Sequence, residues 1–436
     1  MTAPAFVTDS GMRVFTERDM TLPLVAIELV ISRGSTSDPI GREGLTRLWA
    51  HLARRGPKGV SAEQFDERLD SLGSSLGTTV LTESTRVGGI VLARNLEPFL
   101  GAVGSMVTKP GLRANDFGRV RRRAQADVRA LRDDDQTLAA RAFRRHLFGR
   151  HPYGRPAWGT DASLRAISLD EVRAHQPRMV SGEQMILGVA GAFEPAELEA
   201  WVNRAFRGMG RREAPRPPNR GARAPNGRRV ILVDKPQRTQ TQLYVGTLGL
   251  RVGDRDHAAA TVANTAFGGT FTSRLMREVR SKRGWSYSAS SSLSADRQRE
   301  AWAMWTHPAA ERVLDCLRLE LDLVEGWCQK GVSASELRSA KRYLIKSHPF
   351  ERETAVRRLS LQLDSELYGL PDGWHEELPA SYAEVTRAEA LHAVRRFLDP
   401  SRLTIALVAT RTDELERGLR EIDGVRSVDV VSYDSL

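Results

Sequence analysis

Arg280 and Tyr287 are the two residues whose types and spacing could do chemistry. They stand seven positions apart, across the end of an expected helix and into an expected strand, with Gly284 between them. A tyrosine hydroxyl can donate a hydrogen bond to the oxygen that gains negative charge when a peptide carbonyl is attacked. A guanidinium can hold a neighbouring carbonyl and fix the register of a bound chain. Taken singly, each residue has an ordinary explanation. Arg280 is one of four arginines with Arg274, Arg277 and Arg283 on what would be a solvated helix face, and Tyr287, between Ser286 and Ser288, suits a half-buried strand position. Just upstream, Gly268-Gly269-Thr270 lacks the lysine of a phosphate loop and is expected to be a turn before a helix.

A second segment has the frame of a metal site without its ligands. Two histidines four apart on a helix share a face and can grip one zinc, and a glutamate beside the second can act as base on the bound water. In Gly44–His51 the corresponding positions are Arg47, Ala50 and His51. A cation at the first position repels zinc, alanine supplies no base, and one imidazole remains, for which a place on an ordinary helix face suffices. The nine histidines contain no other pair at ligand spacing, and neither C-x-x-C nor G-x-S-x-G occurs.

Both segments need a scaffold. A chain of 436 residues suits two domains of about 200 residues. With 41% hydrophobic and 27% charged residues it can build a sizeable core. No apolar run approaches the roughly 18–20 residues that cross a bilayer. No basic-then-apolar leader follows Met1, so a cytoplasmic location is expected, or a periplasmic one if a leader has been removed. Cys316 and Cys328 fall on one expected helix, about 18 Å apart along its axis, too far for a disulfide. The net charge is +11, carried by seven lysines and 58 arginines. The arginine clusters 119–123 and 141–145 lie in helical patterns without stacking aromatics, so no nucleic-acid partner is expected, and no membrane. Arginines spread over solvated helix faces account for the charge, and among binding roles an acidic protein partner uses it best.

The chain repeats itself. The alternating segment Leu24–Ile31 has a counterpart at 241–246. The helix start at Leu169 and the strand from Met185 recur at 387 and 403, an offset of 218, half the chain. Residues 211–228, rich in proline, glycine and charge, are expected to link a first domain (1–210) to a second (229–436). The first half is expected to open with a strand pair at 12–16 and 24–31. Helices are expected near 43–54 and 61–72, strands at 76–82 and 85–93, and long helices at 95–107, 115–131 and 135–148. The second half is expected to repeat the long helices near 309–330, 333–346 and 351–368. Neighbouring strand runs with grouped helices indicate an α+β layer.

The segment Ala266–Tyr287, with its Gly-Gly, Ser-Arg-Leu and Arg/Tyr spacing, resembles the C-terminal half of the pitrilysin, insulinase and mitochondrial-processing-peptidase family of zinc peptidases. Asp38–Leu45, Gly56–Ser61 and His151–Pro156 resemble further stretches of that family, so the likeness runs from about Phe6 to Val430. At 47–51 the family's H-x-x-E-H has become Arg47, Ala50 and His51. The third ligand, a glutamate 75–80 residues onward in the family, falls where only Asp127 is acidic. The resemblance implies two tandem α+β domains forming half of a clam-shell, with no cofactor in this chain. It implies a zinc-free subunit, inactive alone, of a heterodimeric metallopeptidase whose zinc-bearing partner subunit holds Zn2+. Arg280 and Tyr287, with Gly268 and Gly269, would bind the peptide substrate, and Arg280 and Tyr287 would assist its hydrolysis. A noncatalytic structural or peptide-binding module of the same fold is the alternative, and an independent hydrolase or a charge-driven nucleic-acid binder is a third.

Overall fold

The computed structural model describes residues 3–212 and 221–436, so part of the expected linker lies outside the described residues. The chain forms two compact units, Met1–Arg129 with Pro156–Pro218 and Pro349–Trp374, and Ala130–Arg155 with Asn219–His348 and His375–Leu436. Each mixes strands and helices, as expected of an α+β chain.

In the first unit the strands are β1 (Phe6–Val7), β2 (Arg13–Arg18), β3 (Leu24–Ile31), β4 (Ser75–Val80), β5 (Thr85–Leu92) and β6 (Met185–Gly191). They form one sheet in the order β1-β2-β6-β3-β5-β4. In the second unit β7 (Arg228–Asp234), β8 (Gln242–Leu248), β9 (Leu250–Arg251), β10 (Ala289–Leu293), β11 (Ala295–Asp296), β12 (Ala301–Thr306), β13 (Thr404–Ala409) and β14 (Val425–Ser432) follow. Their main sheet runs β10-β12-β8-β13-β7-β14. Read in reverse, β7, β13, β8, β12 and β10 take the places of β2, β6, β3, β5 and β4. The repeat in the sequence is thus a repeat of topology.

The expected pairing of the first two long strands is not found. β6 lies between them, parallel to β2 and antiparallel to β3. β6 is buried along nearly its whole length, as a central strand must be.

On one face of the first sheet, Val25, Ile27 and Leu29 join Trp49, Phe65, Phe99 and Val103 in a single core. The other face is covered by the helix Ala355–Tyr368, which comes from the second half of the chain. Its Ala355, Leu359, Leu363 and Leu367 recur at helical spacing and pack on Phe15, Val30, Ile186 and Ala190. Gly188 of β6 makes room: a Cβ there would stand 2.8 Å from Leu359 and Leu363. The second sheet has the mirror arrangement. The helix Asp135–Phe148 from the first half lays Leu138, Ala142 and Phe143 on Ile231, Val233, Ala406 and Val408, and a Cβ at Gly246 would meet Phe143 at 2.9 Å. Each unit therefore takes one covering helix from the opposite half of the sequence.

Cys316 and Cys328 are buried free thiols on the helix Val313–Lys330. Among the described residues no helix is long and apolar enough to cross a membrane.

Candidate functional site

The Arg280 segment hangs from Asn264. That buried amide accepts from Ser291 Oγ (2.7 Å) and Trp302 Nε1 (2.9 Å) and donates to the Ser291 carbonyl (3.3 Å), tying the helix His257–Asn264 to β10 and β12. The chain then widens into a π-helical turn, Thr265–Gly269, where a turn was expected. Gly268 is buried hard against β10, and a Cβ there would stand 2.7 Å from the Ser291 nitrogen. Gly269 is exposed. A short helix, Arg274–Met276, passes into a second π-helical turn, Arg277–Ser281, which carries Arg280. The turn closes with Gly284 N–H on the Arg280 carbonyl (2.9 Å) and Trp285 N–H on Val279 (3.2 Å). Gly284 sits at φ +66°, a conformation that glycine adopts without strain. Tyr287 then precedes β10 by two residues rather than lying within a strand.

Arg274 and Arg277 anchor this segment through Glu336, at 2.6 and 3.3 Å. Burial works to raise the Glu336 carboxyl, but hydrogen bonds from Arg274 and the Ser333 amide outweigh it and hold the pKa down at about 2. Arg280 differs. Among the described residues it has no carboxylate partner. Its guanidinium carbon lies 4.5 Å from the Phe271 ring centroid and 4.6 Å from that of Tyr287. Phe271 and Tyr287 are 68% and 78% exposed. The result is a half-buried guanidinium in contact with two exposed aromatic rings, with no hydrogen-bond acceptor for its N–H groups among the described residues. Tyr287 is steadied from below by Ser286, whose buried hydroxyl accepts the His307 N–H (3.0 Å) and donates to the Ser288 carbonyl (2.5 Å). His307 Nδ1 lies 3.2 Å from the same hydroxyl, which fits the Nδ1–H tautomer donating.

Phe271 and the Ser286–His307 contact were not singled out from sequence. The signal for Phe271 was an aromatic residue in a glycine-rich turn, which has no burial period to explain it.

The 47–51 segment lies on the helix Leu45–Ala53. Its start is held by Asp38, which accepts from the Gly44 N–H (2.7 Å), the Thr46 N–H (2.8 Å) and the Thr46 hydroxyl (2.6 Å). That hydroxyl in turn accepts from His175 Nε2 at 3.0 Å. Arg47 reaches Asp127 at 3.2 Å and lies over the Trp158 ring at 4.1 Å. The helix thus brings the only acidic residue of the expected ligand neighbourhood to the degenerate motif, but as the counter-ion of a guanidinium. Ala50 is buried in the core. His51 is exposed at its edge; burial of the rest of the ring, and then the Arg47 charge, push its pKa below the ordinary histidine value. Zinc does not fit this set: a fixed cation stands at one ligand position and neutralises the only carboxylate. Among the described residues no group of three His, Cys, Asp or Glu side chains could hold a metal ion.

A model described as insulinase (peptidase family M16) matches residues 13–161, and one described as the peptidase M16 inactive domain matches residues 166–344. Among curated relatives, an uncharacterized zinc protease of Mycobacterium tuberculosis is 28% identical over 89% of each chain. The non-peptidase homolog YmxG of Helicobacter pylori is 21% identical over 93% of each. The fold is similar to the peptidase M16 inactive domain from Pseudomonas fluorescens, with TM-score 0.87, 22% identity and coverage of 93% of this chain and 97% of that one.

Proposed function

Because the chain belongs to peptidase family M16 as a noncatalytic member, we propose that it is the zinc-free subunit of a heterodimeric metallopeptidase. It would lend substrate-binding and oxyanion-stabilising groups to a zinc-bearing partner subunit. The observation that carries this reading is the contrast between the two segments. At the metal positions Arg47 pairs with Asp127, which Arg123 also holds, whereas the half-buried Arg280 guanidinium lies against the exposed Tyr287 ring and has no acidic partner among the described residues. A solely structural role gives no reason to hold a guanidinium between two exposed rings.

In this role the Arg280 N–H edge grips a carbonyl of the bound peptide beside the cleaved bond, and the exposed Gly269 backbone gives the peptide room. The Tyr287 hydroxyl donates to the oxygen on which charge develops. Because Ser286 and the Gly284 turn already fix the backbone, little reorganisation accompanies the reaction. Hydrolysis itself belongs to the partner.

The test is reconstitution with a paralogue that carries an intact H-x-x-E-H. Peptide cleavage is expected only in the mixture. Tyr287→Phe should lower turnover by roughly 10²–10³, the cost of losing one oxyanion donor, with assembly unchanged on gel filtration. A Tyr287→Phe mixture of full activity would end the reading. The relative named a non-peptidase homolog favours a second one, a peptide-binding module without catalytic share. It predicts peptide binding by this chain, together with partner activity indifferent to Arg280→Ala.

A further inference from the structure

The helix Ala334–Glu351 carries a charge pattern with no internal explanation. Its inner stripe is Leu337 and Ala340, with Leu344 and Ile345 packed against the same core. At 100° per residue the opposite face presents Arg338, Arg342 and Lys346, four apart and all exposed, with Tyr343 beside them 53% exposed. No acidic residue occurs between Leu337 and His348. Lys341, the fourth cation there, is spent on the Val385 carbonyl at 2.8 Å. Arg338, Arg342 and Lys346 have no acidic partner among the described residues.

Several cations on other helices are paired, although Arg122 and the four-apart Arg141 and Arg145 also lack a carboxylate partner among the described residues. On Ala114–Ala130, Arg119, Arg123 and Arg129 pair with Glu63, Asp127 and Asp161. On Asp413–Arg420, Arg420 pairs with Glu416. Like charges four apart repel along a helix, so the row 338-342-346 works against its own helix and receives nothing in return from the fold. A shallow depression of about 570 Å³ runs beside it, lined by Ser335, Leu337, Arg338, Ser339, Lys341 and Arg342.

We infer that this face is a docking surface for an acidic segment of another polypeptide. The three charges rise about 6 Å per step along one ridge that winds by about 40° per step, which matches carboxylates at every fourth position of a helix. Tyr343 offers a flat ring for the segment's apolar edge. A membrane surface would call for a broad apolar face, and here Tyr343 and Phe350 form only a two-ring edge beside the cationic row. A nucleic acid would call for stacking rings along the groove. The inference stands whether or not Tyr287 assists hydrolysis.

The test uses the full chain and a fluorescent helical peptide with glutamate at every fourth position, followed by anisotropy at low salt. Binding is expected to weaken about ten-fold or more in R338E/R342E/K346E, as three exposed ion pairs imply, and to fall with added salt. A control of equal net charge, K58E/R122E/R150E, should bind like the parent. Equal weakening in the control, or no weakening in the triple variant, overturns the inference. So does tighter binding of single-stranded DNA or of phosphatidylserine vesicles through the same three residues. Unchanged circular dichroism in the triple variant separates lost docking from lost folding.

Discussion

Replacing Glu320 by glutamine should remove a loss of stability that the second unit suffers as pH rises from about 4.5 to about 7. Glu320 is fully buried on the helix Val313–Lys330. One carboxyl oxygen accepts from the Thr306 hydroxyl at 2.7 Å and faces the Cys316 thiol at 3.6 Å, while the other has no hydrogen-bond partner among the described residues. Burial pushes its pKa up from 4.5 to about 7. Below about pH 4.5 both folded and unfolded chains hold the proton, and stability does not depend on this group. Between 4.5 and 7 the unfolded chain releases the proton and the folded one keeps it. The folded state then binds more protons, and stability falls as pH rises. At about 1.4 kcal/mol per unit, the loss reaches roughly 3 kcal/mol by pH 7 and is constant above. Glutamine cannot ionise and removes the slope. Urea titrations of both proteins at pH 5 and pH 8 measure it: relative to parent, Glu320→Gln should gain about 3 kcal/mol between the two values, or about 6–12 °C in a melt. Comparing the two proteins at each pH cancels every other titrating group. A difference unchanged between pH 5 and pH 8 would refute the assignment of a protonated buried carboxyl.

His175 should titrate with the opposite sign. Burial and then the Arg178 and Arg33 charges hold its pKa near 4, so between about 6.5 and 4 the unfolded chain binds the extra proton and stability falls as pH falls. His175→Gln should flatten the acid limb of a denaturation series by about 3 kcal/mol, and an unaltered limb would show that the ring is not held neutral. Gly268→Ala should cost about 1–3 kcal/mol by driving a methyl into the Ser291 backbone. It should also weaken peptide binding by Arg280, measured by calorimetry, whereas Gly269→Ala, with no atom closer than 3.4 Å, should change stability little.

The tandem repeat was legible because a helix start followed by an apolar strand recurs at an offset of 218 residues. The long helices were legible from their apolar spacing, and 135–148 has the bounds the pattern gave. Strand order was not. β2 pairs with β6 across some 170 residues of chain, and alternation says that a strand has a buried face without naming its neighbour. The provenance of the covering helices was hidden for the same reason: Leu359 and Leu363 announce an apolar stripe, not the sheet that receives it. At the site, Arg280 and Tyr287 were legible from spacing and resemblance together. Arg47 and Asp127 were each noted, but an ion pair between positions 80 apart is a property of the fold. The Phe271 ring on Arg280 left no trace in any periodic pattern.

The crossing of helices between the two halves bears on how this molecule can be dissected. A piece ending near residue 210 keeps β1 to β6 but lacks Ala355–Tyr368, leaving Phe15, Val30 and Ile186 bare. A piece beginning near 229 lacks Asp135–Phe148 and bares Ile231, Val233 and Val408. Each fragment made separately would be sticky and poorly soluble. Co-expressed, the two should rescue one another, since each carries the lid the other is missing.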